Sequence, residues 1–103
     1  MATRATIQLE GYSTAKLYKH YDGYPEATLQ WLKDFNEDFC KNRGDDPTYK
    51  FAQLIRSSAF DAEKYSLDDS RHTGWGVYPI STNVGEDYAY TLMKDGSVSV
   101  KSL

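Results

Sequence analysis

A single cysteine, Cys40, leaves this chain without an internal disulfide framework and fits a reducing compartment. No apolar run reaches the roughly 18–20 residues that cross a bilayer. The start, Met1-Ala2-Thr3-Arg4, has no apolar signal core, so a cytoplasmic location without membrane contact is expected. Runs of Lys/Arg are missing, which argues against a phosphate-backbone partner, and nucleic acid is not expected to bind. Long acidic blocks are missing too, so mimicry of DNA charge is not indicated. The chain has no phosphate loop, no Gly-x-Ser-x-Gly, no His-Glu-x-x-His and no Cys-x-x-Cys. Gly74-Trp75-Gly76 is too short to cradle phosphate and reads as a tight entry into a strand. There is no repeat, linker or low-complexity segment. Resident metals and cofactors are therefore not expected.

Tyrosine is what the chain has in excess: nine, against four phenylalanines and two tryptophans. A tyrosine ring buries well while its hydroxyl seeks a partner, which suits strands and interaction surfaces. Net charge is −3 over 103 residues, with both signs interspersed. Residues 1–103 read as one domain.

Hydrophobic spacing divides the chain into seven elements. Ala5, Ile7 and Leu9 alternate with Arg4, Thr6, Gln8 and Glu10, which predicts a half-buried strand over 3–10. Gly11 and Ser13 mark a turn into a shorter strand over 15–21, forming a hairpin. Pro25 opens a helix that runs to residue 42, with Trp31, Leu32, Phe35 and Phe39 on one face and Arg43-Gly44 as its stop. Asp46 caps a second helix with Pro47 at its first position. Its apolar residues are Phe51, Ala52, Ile55, Ala59 and Ala62, and it ends between Ser58 and Lys64. Residues 65–74 read as a polar loop, and Trp75–Ile80 as an edge strand ending at Pro79. Residues 81–86 connect it to two last strands, 87–93 and 97–101, joined by a two-residue hairpin at Asp95-Gly96. The order ββααβββ implies an α+β fold, with two helices packed on one face of an antiparallel sheet.

A turn at Asp95-Gly96 would place Met93 opposite Val98 and Thr91 opposite Val100. That face is the more apolar and is assigned to the core. Tyr88, Tyr90, Leu92, Ser99 and Lys101 then point to the other side. With Ala15 and Leu17 inward, Tyr18 and His20 also point outward. The expectation is a tyrosine-bearing open face; the plain alternative is that tyrosines simply favour half-exposed strands.

The segment Tyr18-Lys19-His20-Tyr21-Asp22-Gly23-Tyr24-Pro25 concentrates side chains that bind or titrate. His20 and Asp22 flank Tyr21 and would share a side if the strand continued, so a carboxylate could orient the imidazole. Against this, Asp-Gly-x-Pro is a good turn for local reasons alone. Asp68, Asp69 and His72 carry metal-ligand atoms but lack a metal-site spacing, and read as a solvated loop. Asp45 and Asp46 are better explained by helix capping. Cys40 lies near a helix C-terminus, where the dipole disfavours thiolate, and reads as structural.

The pieces Leu17-Tyr18-Lys19-His20-Tyr21-Asp22-Gly23-Tyr24-Pro25 and Arg43-Gly44-Asp45-Asp46-Pro47 resemble a set of small uncharacterised bacterial and phage or prophage proteins. These carry a His-x-Asp-Gly-Tyr-Pro turn after an N-terminal hairpin. The resemblance implies an intracellular protein from a mobile element, of a kind that binds and blocks a host factor, including host-defence components.

The leading expectation is a non-enzymatic binding protein that meets a protein partner through Tyr18, His20, Asp22, Tyr24, Tyr88 and Tyr90. A homodimer formed through the same face is compatible with it. One alternative is sequestration of a small nucleotide-like ligand, with tyrosines stacking on the base and Lys16, Lys19 or Arg71 meeting phosphate. Another is a small hydrolase using His20 and Asp22, with His72 as a further candidate, for which the sequence offers no nucleophile.

Overall fold

Seven elements form in a computed structural model that describes residues 3–44, 46–62 and 74–103. They are β1 (Ala5–Leu9), β2 (Tyr12–Lys19), α1 (Pro25–Arg43), α2 (Pro47–Ala62), β3 (Trp75–Pro79), β4 (Tyr88–Leu92) and β5 (Val98–Ser102). The expected order ββααβββ and α+β class hold, with both helices on one face of a five-stranded sheet. Asp46 caps α2 as predicted, its Oδ1 accepting from the Tyr49 amide at 3.3 Å. The polar stretch at 65–73, with Asp68, Asp69, Arg71 and His72, lies outside the described residues, as do Asp45 and the side chains of Ala59 and Ala62. Among the described residues, no helix is long and apolar enough to cross a membrane.

The sheet is mixed rather than purely antiparallel. Its order is β3-β2-β1-β4-β5, and β1 pairs with β4 in parallel from Ala5↔Tyr88 to Leu9↔Leu92. The hairpins fix only local antiparallel neighbours. The β1–β4 pair joins strands from opposite ends of the chain, and no short-range signal sets its direction.

This order has a consequence for the side of the sheet away from the helices. β3 and β4 are separated by β2 and β1, so residues 80–87 must pass over both strands to connect them. They do so on the side opposite the helices. The Ile80 amide donates to the Thr14 carbonyl, and the Lys16 ammonium donates to the Thr82 carbonyl at 2.5 Å. The Thr6 hydroxyl donates to Glu86 Oε2 at 3.0 Å, and the Arg4 amide donates to Asp87 Oδ2 at 3.0 Å. Thr6 and Lys16 are buried beneath this strap. The outer face is therefore covered across its middle, and each polar group the strap buries finds a partner.

The register at the last hairpin reverses the expected faces of β4. Leu92 pairs with Val98 and Tyr90 with Val100, and the Met93 amide donates to the Ser97 carbonyl. The connection is thus three residues long, Lys94 to Gly96, with Gly96 at φ 97°. A three-residue loop closed by a left-handed glycine is a common alternative to the two-residue turn. The change shifts pairing by one residue, which exchanges the two faces. Tyr88, Tyr90 and Leu92 point toward the helices, and Tyr90 is 0 % exposed.

The core joins Ala5, Ile7, Leu9, Leu17, Tyr90 and Leu92 of the sheet to Leu32 of α1 and to Phe51 and Leu54 of α2. Burying each large apolar side chain contributes about 1.5–3 kcal/mol. On α2 the inward residues are Phe51 and Leu54, whereas Ala52 and Ile55, expected on the apolar face, are exposed. On α1 the buried stripe includes two polar residues that hydrophobic spacing passes over, Thr28 and Asn36. The Thr28 hydroxyl donates to the Asp22 carbonyl at 2.9 Å. The Asn36 amide donates to the carbonyls of Met93 at 3.0 Å and Ser97 at 2.7 Å. These bonds fix α1 to the turn before it and to the β4–β5 hairpin.

Tyr90 completes the arrangement by donating its hydroxyl to the Gly23 carbonyl at 2.6 Å. Burial pushes its pKa up to about 12 against the opposing effect of the Thr28 hydroxyl. Tyr90→Phe leaves the buried carbonyl without this donor and is expected to lower stability by about 1–3 kcal/mol at pH 7. The raised pKa makes the wild-type advantage complete below pH 10, where unfolded tyrosine is still protonated. That advantage fades as pH rises from about 10 to about 12. Urea unfolding of both proteins from pH 7 to 12 measures the difference, and a difference independent of pH would contradict the buried phenol.

Candidate functional site

Beyond the strap, at the β2–β3 corner, four ring side chains meet. Tyr18 lies opposite Gly76 of β3 on the outer face, and Tyr78 lies opposite Lys16 on the same face. The Tyr18 and Tyr78 rings pack edge to face, with centroids 5.5 Å apart. His20 follows the end of β2, and its Nδ1 lies 2.6 Å from the Tyr18 hydroxyl. Its ring meets Tyr21 edge to face at 4.5 Å. Both edge-to-face contacts suit the ring quadrupoles. Tyr21 is 48 % exposed and Tyr78 is 37 % exposed, so the cluster opens to solvent.

The phenol of Tyr18 is held above its ordinary pKa, first by burial and then by Tyr78, Asp87 and Tyr21, with Arg4 opposing. It stays protonated at neutral pH. Its hydroxyl shares a hydrogen bond with Nδ1 of His20, whose donor is set by the imidazole tautomer. The contact with Tyr18 thus holds the His20 ring in place. The arrangement offers an aromatic surface with a hydrogen-bonding imidazole. Nδ1 of His20 is engaged by the Tyr18 hydroxyl.

The turn that follows is built for the backbone. Asp22 sits at φ 54°, a left-handed conformation that Asp tolerates better than most residues. Its carbonyl accepts from Thr28. The Gly23 amide donates to the Thr3 carbonyl at 2.9 Å, and its own carbonyl accepts from Tyr90. Lys19, buried beneath α1, places its ammonium 3.3 Å from the Thr28 hydroxyl and 5.4 Å from the centre of the Trp75 ring. Tyr24 precedes α1 and is 37 % exposed.

The expected site residues therefore separate. Tyr18 and His20 come together, joined by Tyr21 from the same turn. Asp22 serves the turn through its backbone, and Tyr24 lies on the surface at the start of α1. Tyr88 is half-buried against the core, its ring 6.5 Å from that of Tyr90. Tyr90 lies inside the protein, so the contact surface expected of Tyr88 and Tyr90 is withdrawn. Tyr78 was missed. The signal for it was the alternation Trp75-Gly76-Val77-Tyr78, which sends Trp75 inward and Tyr78 outward. Lys16 and Lys19 cannot present phosphate-binding charges from the outer face: one is tied to the strap, and the other is under α1.

A second concavity of about 370 Å³ lies between the helices. Phe35, Phe39 and Tyr49 line it together with Arg43 and Arg56. The Arg43 guanidinium stacks over the Tyr49 ring, 4.2 Å from its centre. Among the described residues, no three His, Cys, Asp or Glu side chains gather closely enough to hold a metal ion.

No protein-family model, curated protein or solved structure matches the chain.

The packing of Gly23 gives a test of the turn. A Cβ there would lie 2.7 Å from the Ala5 Cβ and 2.9 Å from the Thr3 carbonyl oxygen, against a strand that cannot yield. Gly23→Ala is expected to destabilise the protein by about 1–3 kcal/mol through overpacking. An unchanged urea midpoint would show that the turn does not rest on β1.

Proposed function

We propose that this protein is a non-enzymatic binding module that meets a protein partner through the Tyr18–His20–Tyr21–Tyr78 corner. The observation that carries the reading is a set of mutually packed rings, open to solvent at Tyr21 and Tyr78. Tyrosine contributes large contact area from a side chain with few rotatable bonds, and such residues dominate interface energetics. Rings already held by their neighbours lose little further freedom on binding. Tyr24 extends the surface toward α1. A cytoplasmic location and a host protein as partner belong to the same reading, supported by the single unpaired Cys40 and by the resemblance of the turn to mobile-element proteins.

The aromatic helix groove favours a second reading, a small anionic ligand of nucleotide-like chemistry bound between α1 and α2. Its support is the guanidinium of Arg43 stacked over Tyr49 beside Phe35 and Phe39. A flat ring could pack among these side chains while arginine meets phosphate. A thermal-shift panel of nucleotides at millimolar concentration separates the two readings. Stabilisation that disappears in Arg43→Ala supports the groove, and no shift with any nucleotide removes it.

For the protein-binding reading, affinity capture from the native host compares wild type with Tyr21→Ala and Tyr78→Ala. Each substitution is expected to weaken partner recovery by tenfold or more, on the order expected of an interface anchor. Their urea midpoints are expected to report losses of no more than about 1 kcal/mol, since both rings are partly exposed. Equal recovery by wild type and both variants would eliminate this surface.

A further inference from the structure

Away from the aromatic corner, Lys50 in the first turn of α2 is 5 % exposed, and its ammonium is aimed at the sulfur of Cys40 on α1. The Nζ to Sγ distance is 3.7 Å. A buried ammonium ordinarily rests against a carboxylate. Among the described residues, what this one meets is a thiol sulfur and the Phe39 ring, 5.6 Å from its centre. The sulfur also lies 3.6 Å from Asn36 Oδ1 and 3.8 Å from the Met93 carbonyl oxygen. Asn36 is itself tied to the β4–β5 hairpin, so the sulfur is held between two fixed elements. Cys40 is only half-buried, which gives a small oxidant access to it.

We infer that Cys40 and Lys50 form a peroxide-sensitive modification site in which oxidation joins the two side chains as a sulfenamide and staples α1 to α2. In the first step the sulfur attacks a peroxide oxygen. An S–O bond forms, the O–O bond breaks and water leaves, so the sulfur is oxidised to sulfenic acid while the peroxide is reduced. In the second step Lys50, having released a proton to solvent, attacks the sulfenic sulfur through its amine. An N–S bond forms and the S–O bond breaks. The departing hydroxide takes one of the two amine protons and leaves as water, and the other stays on the sulfenamide nitrogen. The second step is redox-neutral, and the sum removes two hydrogens from the pair. The amine already stands near attack distance, so condensation competes with further oxidation. A thiol reductant reverses the link by attacking its sulfur.

The test uses the full chain, reduced and then exposed to hydrogen peroxide, followed by intact-mass measurement and peptide mapping. The expected product is lighter by two hydrogens. It contains a peptide joining the Cys40 and Lys50 segments, and dithiothreitol dissolves the link. Lys50→Arg, confirmed as folded by circular dichroism, is expected to give no linked peptide and to accumulate a sulfenic acid that dimedone traps. Wild type giving only sulfinic or sulfonic acid, or a Cys40–Cys40 disulfide dimer, would overturn the proposal. The wild-type map decides the question even if the variant does not fold.

Discussion

The hydrogen bond from the Tyr90 hydroxyl to the Gly23 carbonyl is the constraint on which the arrangement of this protein depends. Tyr90 belongs to β4, paired with the central strand β1, and Gly23 lies in the turn that leads from β2 into α1. One bond therefore links the middle of the sheet to the origin of the first helix. Around it, Lys19 approaches Thr28, and Thr28 donates to Asp22. The space for this polar cluster exists because residue 23 has no Cβ and can lie against Ala5. Buried polar groups are costly when unpartnered, so a chain that satisfies all of these at once favours one docking of α1 over its alternatives. Asn36 performs the corresponding task farther along the helix, against the β4–β5 hairpin.

Much of the fold was legible because local chemistry governs it. Alternation marks β1, a proline opens each helix, and Asp46 caps α2. The sheet faces were harder. Asp95-Gly96 satisfies the composition of a two-residue turn, yet the loop closes between Met93 and Ser97. A glycine with positive φ serves either geometry, so composition alone does not choose between them. Apolar content misleads here as well. Val98 and Val100 support a core face whichever partner they meet, whereas Tyr90 can be buried only because a distant carbonyl receives its hydroxyl. That acceptor is supplied by a residue 67 positions away. Periodicity carries no information about it.

The parallel β1–β4 pair and the strap form a single topological fact. Once β4 joins β1, the chain leaving β3 must cross β2 and β1, and the helices already occupy the other side. The crossing explains why Thr6 and Lys16, on the face the sequence marks as solvent-exposed, are buried yet satisfied. Without the strap, Lys16 would be an ordinary surface cation available to a phosphate. With it, Lys16 becomes an anchor for the connection.

The distinctive His-x-Asp-Gly-Tyr-Pro segment divides its work between scaffold and surface. Asp22 and Gly23 act through backbone conformation and close packing, Pro25 starts the helix, and His20, Tyr21 and Tyr24 remain at the surface. This division bears on why an aromatic cluster forms at the corner. Tyr21 immediately precedes the left-handed residue, so the anchored turn sets the direction of its ring. Tyr18 holds His20 from the strand side, and Tyr78 closes against Tyr18 from the edge strand. The strap covers the centre of the outer face and leaves this corner open. Rings at the corner are thereby supported from behind by the best-anchored part of the fold. A surface of this kind is preorganised by the same bonds that seat α1, so the binding proposed for it would depend on the integrity of the Tyr90–Gly23 contact.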